Sequence, residues 1–364
     1  MANDTRWENN ILGMVTPTDW IDVGAQEPTR QSDPIDGLFG DQKTPNLVAE
    51  WESIASEYQI PVMAHFHGFD TEANTTFRVP IDNHNIEKGL IKVKINQSER
   101  LRALVKNGVQ GDQTLYDYVL NDGIRLADQV ITRTKVAKNE LMATGEVTIK
   151  ENDLNLTVDY GVPAANKAHT LDVGAGATDD ILSQIQAIID AATAQGVIIN
   201  GMLTSRAVLT KIRKNALLQT AINGNIGAGS LIRQNALSDF LSEEFGINNI
   251  ITNDLTYGAS ATIGADGRPS VVTKRYYPAD KITFFASNPA GRMGVGLWGD
   301  PPEADNYGLL DVNGSAISPY VYITQWMEKD PAVLWTKASS LFMPVLYNPN
   351  SLYITTVTET PKGA

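Results

Sequence analysis

The sequence predicts an α+β fold, and three observations carry that prediction. From Asp112 to Ala143 there is no proline, and Leu115, Val119, Leu126, Val130, Ala137 and Leu141 recur at spacings of four and seven. Such a run is one apolar stripe on a helix of period close to 3.67, a rod of about 48 Å at 1.5 Å per residue. Earlier in the chain, Ile91, Val93 and Ile95 alternate with Lys92 and Lys94, the period of a strand. Beyond residue 178, capped amphipathic helices alternate with short apolar strands, an α/β pattern.

Each element follows from local chemistry, and together they divide the chain into five stretches. Residues 1–60 are punctuated by Asp33-Pro34, Gly37, Gly40 and Pro45, with a hint of order only from Leu47 to Tyr58. An arm this long without a core of its own must pack on the rest of the subunit or on a neighbouring chain. Residues 61–97 read as a long two-stranded excursion whose strands are separated by hydrophilic Gly68–Thr75 and Asp82–Lys88. An isolated hairpin is marginal in water, so this one needs a partner surface.

The third stretch, 98–177, holds the long helix, with Asp112 as its cap and Gly145 as its stop. A hairpin follows, Val147–Lys150 and Leu154–Tyr160, with Leu154, Leu156, Val158 and Tyr160 on the face expected to be buried. The alanine- and glycine-rich loop Gly161–Thr178 reads as a boundary.

The fourth stretch, 178–301, opens with a helix capped by Thr178, with Ile181, Leu182, Ile185, Ile188 and Ile189 inward and Gly196 as its end. Strands are expected at Val197–Asn200, Ile247–Ile251 and Lys281–Phe285. Thr204 or Ser205 caps a helix running to about Leu218, and Ser230 another ending near Gly246. The fifth stretch, 302–364, is strand-like from Tyr320 to Val357.

Composition narrows the function classes. A formal net charge of -13 argues against a protein that grips nucleic acid, which needs a basic surface, though not against a container for it. With 0 cysteines, neither disulfides nor thiolate metal sites hold the fold. No apolar run is long enough for a transmembrane helix, and the opening MANDTRWENN lacks the pattern of a signal peptide.

A search for catalytic chemistry yields no convergent set. His65-Phe66-His67 has strand spacing suited to a metal pair, but only Asp70 stands near it, and polar strand residues are the simpler reading. His169 stands alone. Gly224-Asn225-Ile226-Gly227-Ala228-Gly229 lacks the Lys-Ser/Thr of a phosphate loop and follows a helix, where a dinucleotide fingerprint needs a strand. Asp179-Asp180 and Glu243-Glu244 sit near helix ends, where they suit a helix terminus or solvent. No cofactor is expected.

Three stretches carry a family likeness. Ile131–Val147, ITRTKVAKNELMATGEV, ends a helix on Thr144-Gly145 before a strand. Val158-Asp159-Tyr160-Gly161 follows the hairpin, and Pro344–Val357, PVLYNPNSLYITTV, closes the chain. In their order they resemble the lambda major capsid protein family, capsid protein E, with the Hong Kong 97 fold of tailed-phage shells. Two positions depart from that pattern: Asn350, where an acidic residue is usual, and Lys135, which follows Arg133 where Arg-x-Glu is usual.

The resemblance implies an N-terminal arm (1–60), an E-loop (61–97), a peripheral domain with spine helix (98–177), an axial domain (178–301) and a return to the peripheral domain (302–364). It implies a shell protein that assembles as pentamers and hexamers in the host bacterial cytoplasm and encloses double-stranded DNA without reading its sequence. Portal and scaffolding proteins are the implied partners, with a decoration protein as a further candidate, and no membrane is involved. Arg78, Lys88, Lys92 and Lys94 make the E-loop basic within an acidic chain, and are expected to meet carboxylates on a neighbour. Removing Gly68–Lys88 is expected to leave a folded subunit that cannot close shells. An encapsulin-like nanocompartment, another self-assembling phage part and an α/β enzyme are the competing readings.

Overall fold

The computed structural model describes residues 32–54, 63, 81–97, 99, 111–151, 154–174, 180–224, 230–263, 269–302, 310–311, 320–330 and 332–361. It opens on a 3-10 turn, Pro34–Gly37, capped by Asp33, whose carboxylate accepts the Ile35 amide at 3.0 Å. Proline suits the first position because no hydrogen bond awaits its missing N–H there.

Along the chain come β1 (Phe39–Lys43), β2 (Val48–Ile54), β3 (Ile81–Glu87) and β4 (Gly89–Gln97), then the long helix α1 (Gly111–Thr144). The hairpin β5 (Glu146–Glu151) and β6 (Leu154–Asp159), the turn α2 (Ala164–Lys167) and β7 (His169–Asp172) follow. Then come α3 (Ile181–Ala194), β8 (Gly201–Thr204), α4 (Arg206–Lys214), α5 (Ala216–Asn223), α6 (Gln234–Phe245) and β9 (Asn249–Thr252). The ribbon β10 (Thr256–Ile263) and β11 (Pro269–Arg275) precedes β12 (Lys281–Phe285), β13 (Gly294–Gly299) and β14 (Leu310–Asp311). The chain closes with β15 (Tyr322–Lys329), β16 (Ala332–Leu346) and β17 (Leu352–Thr358). Helix and sheet are both extensive, as an α+β fold requires.

Two sheets organise these parts. The first runs β1-β13-β16-β15-β14, with β4 also paired to β16. The second runs β7-β17-β12-β8-β9. Each has its own apolar core. Ile124, Leu126, Val130 and Leu141 of α1 pack with Phe39, Leu334 and Phe342 in one. In the other, Ile181, Ile185 and Ile188 of α3 pack with Leu237, Leu241, Ile282, Phe284 and Tyr353.

The stripe on the long helix is buried as expected: Leu126, Val130, Ala137 and Leu141 are all within 6% exposure. The side chains of Asp112, Leu115 and Val119 lie outside the described residues. Gly145 stops α1 at φ +73, and its amide donates to the Leu141 carbonyl at 2.8 Å. A Cβ there would stand 2.9 Å from Val162, so only glycine fits both the backbone and the space.

Other expectations shift. Asp180, not Thr178, caps α3, accepting the Ser183 amide at 2.8 Å; Thr178 lies outside the described residues. The strand expected at Val197–Asn200 forms at Gly201–Thr204, beside β12 and β9. Ser205 caps α4 as expected, but Asn215 ends that helix and caps α5, where one continuous helix was expected. Arg233, not Ser230, stands at the cap of α6. Lys281–Phe285 is a strand with the bounds expected.

Long-range pairing links stretches that lie far apart in sequence. β7, expected in a connecting loop, pairs in parallel with β17 in the second sheet. β13, expected with the middle stretch, lies between β1 and β16 in the first sheet. The closing strands divide between the two sheets, β15 and β16 in one and β17 in the other.

Candidate assembly surfaces

The excursion is built differently from its sequence reading. β2, expected within the arm, pairs with β3 along its whole length, from Val48 opposite Glu87 to Ile54 opposite Ile81. β4, expected as the return leg, lies on β16 from Gly89 opposite Phe342 to Gln97 opposite Leu334. The two-stranded part of the excursion is therefore the β2–β3 ribbon. It is fixed at its root: Trp51 stacks on Tyr160 at 5.6 Å between centroids, and the buried Tyr160 hydroxyl donates to the Pro344 carbonyl at 2.6 Å. The second and third stretches of the family likeness thus meet in space.

The four cations expected on this excursion separate. Arg78 lies outside the described residues, as do His65 and His67. Lys88 is 2% exposed, and its ammonium donates inside its own subunit to the Thr44 carbonyl (2.9 Å), the Thr44 hydroxyl (2.6 Å), and the Asn46 (2.6 Å) and Trp298 (3.2 Å) carbonyls. Burial pulls its pKa down, and the nearby Asp300 carboxylate opposes that. A lysine seated on four internal oxygens fastens the bend between β3 and β4, a different role from the neighbour contact expected of it. Its acceptors come from positions 44, 46 and 298, so sequence patterning carries no sign of this seat.

Lys92 and Lys94 are exposed on β4. The Lys94 ammonium stands 4.2 Å from the centre of the Trp335 ring. Trp335 stacks on Trp326 at 6.1 Å and 14°, and Lys337 stands over Trp326 at 5.9 Å. A lysine–tryptophan–tryptophan–lysine row thus crosses β4, β16 and β15 on one face of the first sheet. Cation–π contacts hold both ammonium groups against aromatic surface.

The beginning of the described chain is clamped to α1 by residues that sequence patterning passes over. Lys138, 3% exposed, reaches Asp36 at 3.3 Å and Asp41 at 3.1 Å. Lys135 faces Asp36 at 3.8 Å, so the lysine that departs from the family pattern has an acidic partner in this chain. Asn139 Nδ2 donates to Asp33 at 2.7 Å; Asn253 Nδ2 donates to Asp33 at 3.0 Å and to Asn139 Oδ1 at 2.8 Å. All three members of that triad are buried, and desolvation raises the Asp33 pKa despite its hydrogen bonds. Residues 33–43 are therefore part of the subunit body, not a free arm.

A second tie joins β1 to β15. The Lys43 ammonium meets Asp300 at 2.7 Å and the Tyr322 hydroxyl at 2.6 Å, and that hydroxyl donates to Asp300. Burial works against the Lys43 charge, but these contacts outweigh it and hold the pKa above the ordinary lysine value.

The β5–β6 hairpin also differs from its expectation. Val158 and Tyr160 at its root are buried, whereas Leu154 and Leu156 toward its tip are 61% and 44% exposed. The alternation predicts one face correctly, but only the root lies over the body of the subunit.

Among the described residues, no group of three or more histidines and carboxylates is placed to hold a metal ion. His169 stands in β7 beside Tyr353 at 5.9 Å between rings, and burial lowers its pKa. Gly224 ends α5 at φ +72, and residues 225–229 lie outside the described residues.

Two apolar cores, two-stranded ribbons packed beside them and no convergent catalytic set among the described residues define a structural subunit. The family model described as Phage major capsid protein E matches residues 86–357, well over half of the sequence, and the chain belongs to that family. It is a tailed-phage major capsid protein, a shell-forming subunit of the virion. No curated protein sequence matches it. Solved structures resemble it at low identity. One is a phage-related protein from Bordetella bronchiseptica RB50, at 11% identity over 92% of this chain and 95% of that chain, TM-score 0.48. Others are from Mycobacterium phage Adephagia (12%, 93% and 94%, TM-score 0.46) and the mature capsid of bacteriophage PhiM1 (8%, 92% and 90%, TM-score 0.45). At such scores these likenesses add nothing to the family match.

Proposed function

We propose that this subunit forms pentamers and hexamers that close into an icosahedral shell around double-stranded DNA, assembled in the host bacterial cytoplasm with separate portal and scaffolding chains. The observation that carries the reading is the β2–β3 ribbon, which has no third strand among the described residues. A two-stranded ribbon is marginal on its own, and a neighbouring subunit supplies the missing surface. The net charge of -13 suits a wall along which packaged DNA slides without sticking. Each contact is weak, and many copies make the closed shell durable while early contacts stay reversible.

The test replaces residues 50–85 by a short glycine–serine turn, which removes most of both strands and spares Lys88 with its acceptors Thr44 and Asn46. The deleted chain is expected to fold, by circular dichroism and a cooperative thermal transition, and to yield no shells by negative-stain electron microscopy. Normal shells would refute the role of the ribbon.

Lys92 and Lys94 are proposed to meet carboxylates on a neighbour across the tryptophan-bearing face. Reversing both to glutamate is expected to reduce particle yield about tenfold at low salt, as like charges replace attraction at a rim. Unchanged yield from that variant would refute the contact.

A further inference from the structure

We infer that neighbouring subunits of one ring join head to tail through the two ends of α6, so that the groove at its C-terminal end receives a second copy of this chain. The inference rests on the shell-forming reading and names surfaces that reading leaves open.

At the C-terminal end of α6, a groove of about 410 Å³ lies against α3, lined by Leu182, Gln186, Asp190, Phe240, Glu244 and Phe245, among others. Its floor is apolar. Leu182, Phe240 and Phe245 are partly buried against the second core, and the two phenyl rings meet edge to face at 6.4 Å and 77°. Its rim is acidic. Asp190 and Glu244 are exposed, and Gln186 Nε2 donates to Asp190 at 2.7 Å, which orients that carboxylate.

The other end of the same helix has the opposite character. Arg233 stands at the cap position, exposed and without a side-chain capping bond. Beside it Leu231 is 57% exposed. Arg213 Nε donates to the Ile232 carbonyl at 2.6 Å and so draws the end of α4 against this segment. That brings in exposed Lys214 and, at the start of α5, Leu217 at 53% exposure. Leu231 and Arg233 on one segment, with Lys214 and Leu217 on the other, give this end two exposed leucines and two cations, the converse of the acidic groove.

A helix of 12 residues holds this end and the groove about 17 Å apart, so one subunit cannot bring its own two ends together. Complementary patches at different places on one molecule make a heterologous contact, which closes into a ring when the rotation per step permits. Leucine against phenyl would supply the buried apolar area, and the rim charges would fix register and exclude wrong partners. Charge complementarity favours a second copy over an acidic scaffold segment, which the carboxylates at the groove would repel.

The test uses the full chain under conditions in which the unaltered protein assembles. Asp190→Lys with Glu244→Lys, and separately Lys214→Glu with Arg233→Glu, are each expected to lower the sedimenting particle fraction about tenfold. All four changes together are expected to restore it. Wild-type yield from both pairs, or no recovery in the four-site variant, would overturn the inference. If a reversal variant fails to fold by circular dichroism, cross-linking decides instead. The chain has 0 cysteines, so Gln186→Cys with Leu217→Cys introduces the pair cleanly. A short bismaleimide should then produce a ladder of bands from dimer upward in assembled particles, and monomer alone would refute the contact. Absence of particles from the unaltered chain would count against the shell-forming reading itself.

Discussion

Replacing Asp33 by alanine is expected to destabilise the dissociated subunit by about 3 kcal/mol, measured by chemical denaturation, with release of residues 32–43 to protease as a second readout. Asp33 accepts the Ile35 amide and the side-chain amides of Asn139 and Asn253 in a site where it is 3% exposed. Alanine strands three buried donors at once, and each costs far more unpaired than a surface hydrogen bond contributes. The effect should also depend on pH. Burial raises the folded-state pKa of Asp33, so between the ordinary carboxylate value and that raised one the folded chain holds more protons than the unfolded chain. The stabilisation linked to that proton is complete below the unfolded pKa and is lost as pH rises through the folded one. Compared with Asp33→Asn, which cannot titrate, the unaltered subunit should therefore gain relative stability as pH falls from neutral toward 4. A difference between the two proteins that stays flat with pH would contradict this assignment.

Lys88→Met should be nearly as costly, at about 3 kcal/mol, because a thioether fills the space but satisfies none of the carbonyls of Thr44, Asn46 and Trp298. Those oxygens join the β1–β2 connection to the end of β13, so the loss should propagate to the root of the ribbon. Hydrogen exchange is expected to quicken at Leu47–Ala49 and Glu87–Leu90 before the rest of the subunit. Lys88→Arg is no rescue: Gly299 stands so close that even a Cβ there would lie 3.2 Å from the lysine nitrogen. A charge-reversal partner on another chain would predict the opposite outcome, a stable subunit that fails only in assembly. The two readings of Lys88 are thus separated by whether the monomer melts normally.

The long helix was legible because its stripe is local: Leu126, Val130, Ala137 and Leu141 recur within one element and need no knowledge of what covers them. The same holds for Gly145, for the isoleucines of α3 and for the strand Lys281–Phe285. The family likeness was also readable, since its three stretches keep their order along the chain. The long helix, the first helix of the middle stretch and one of its strands were thus settled by sequence alone.

Tertiary structure decided which strands share a sheet, and with it which charges are buried. Alternation along Gly89–Gln97 announces a strand but not a partner, and β16 claims it in place of the excursion. Lys88 and Lys92 look alike in sequence, four residues apart; the first turns inward because oxygens from positions 44, 46 and 298 converge on it. Leu154 and Val158 share a face, yet only Val158 lies over the core. Periodicity fixes the side to which a residue points, whereas burial depends on what a remote part of the chain brings to that side. The groove beside α6 obeys the same rule, since it gathers residues from two helices that only packing makes neighbours.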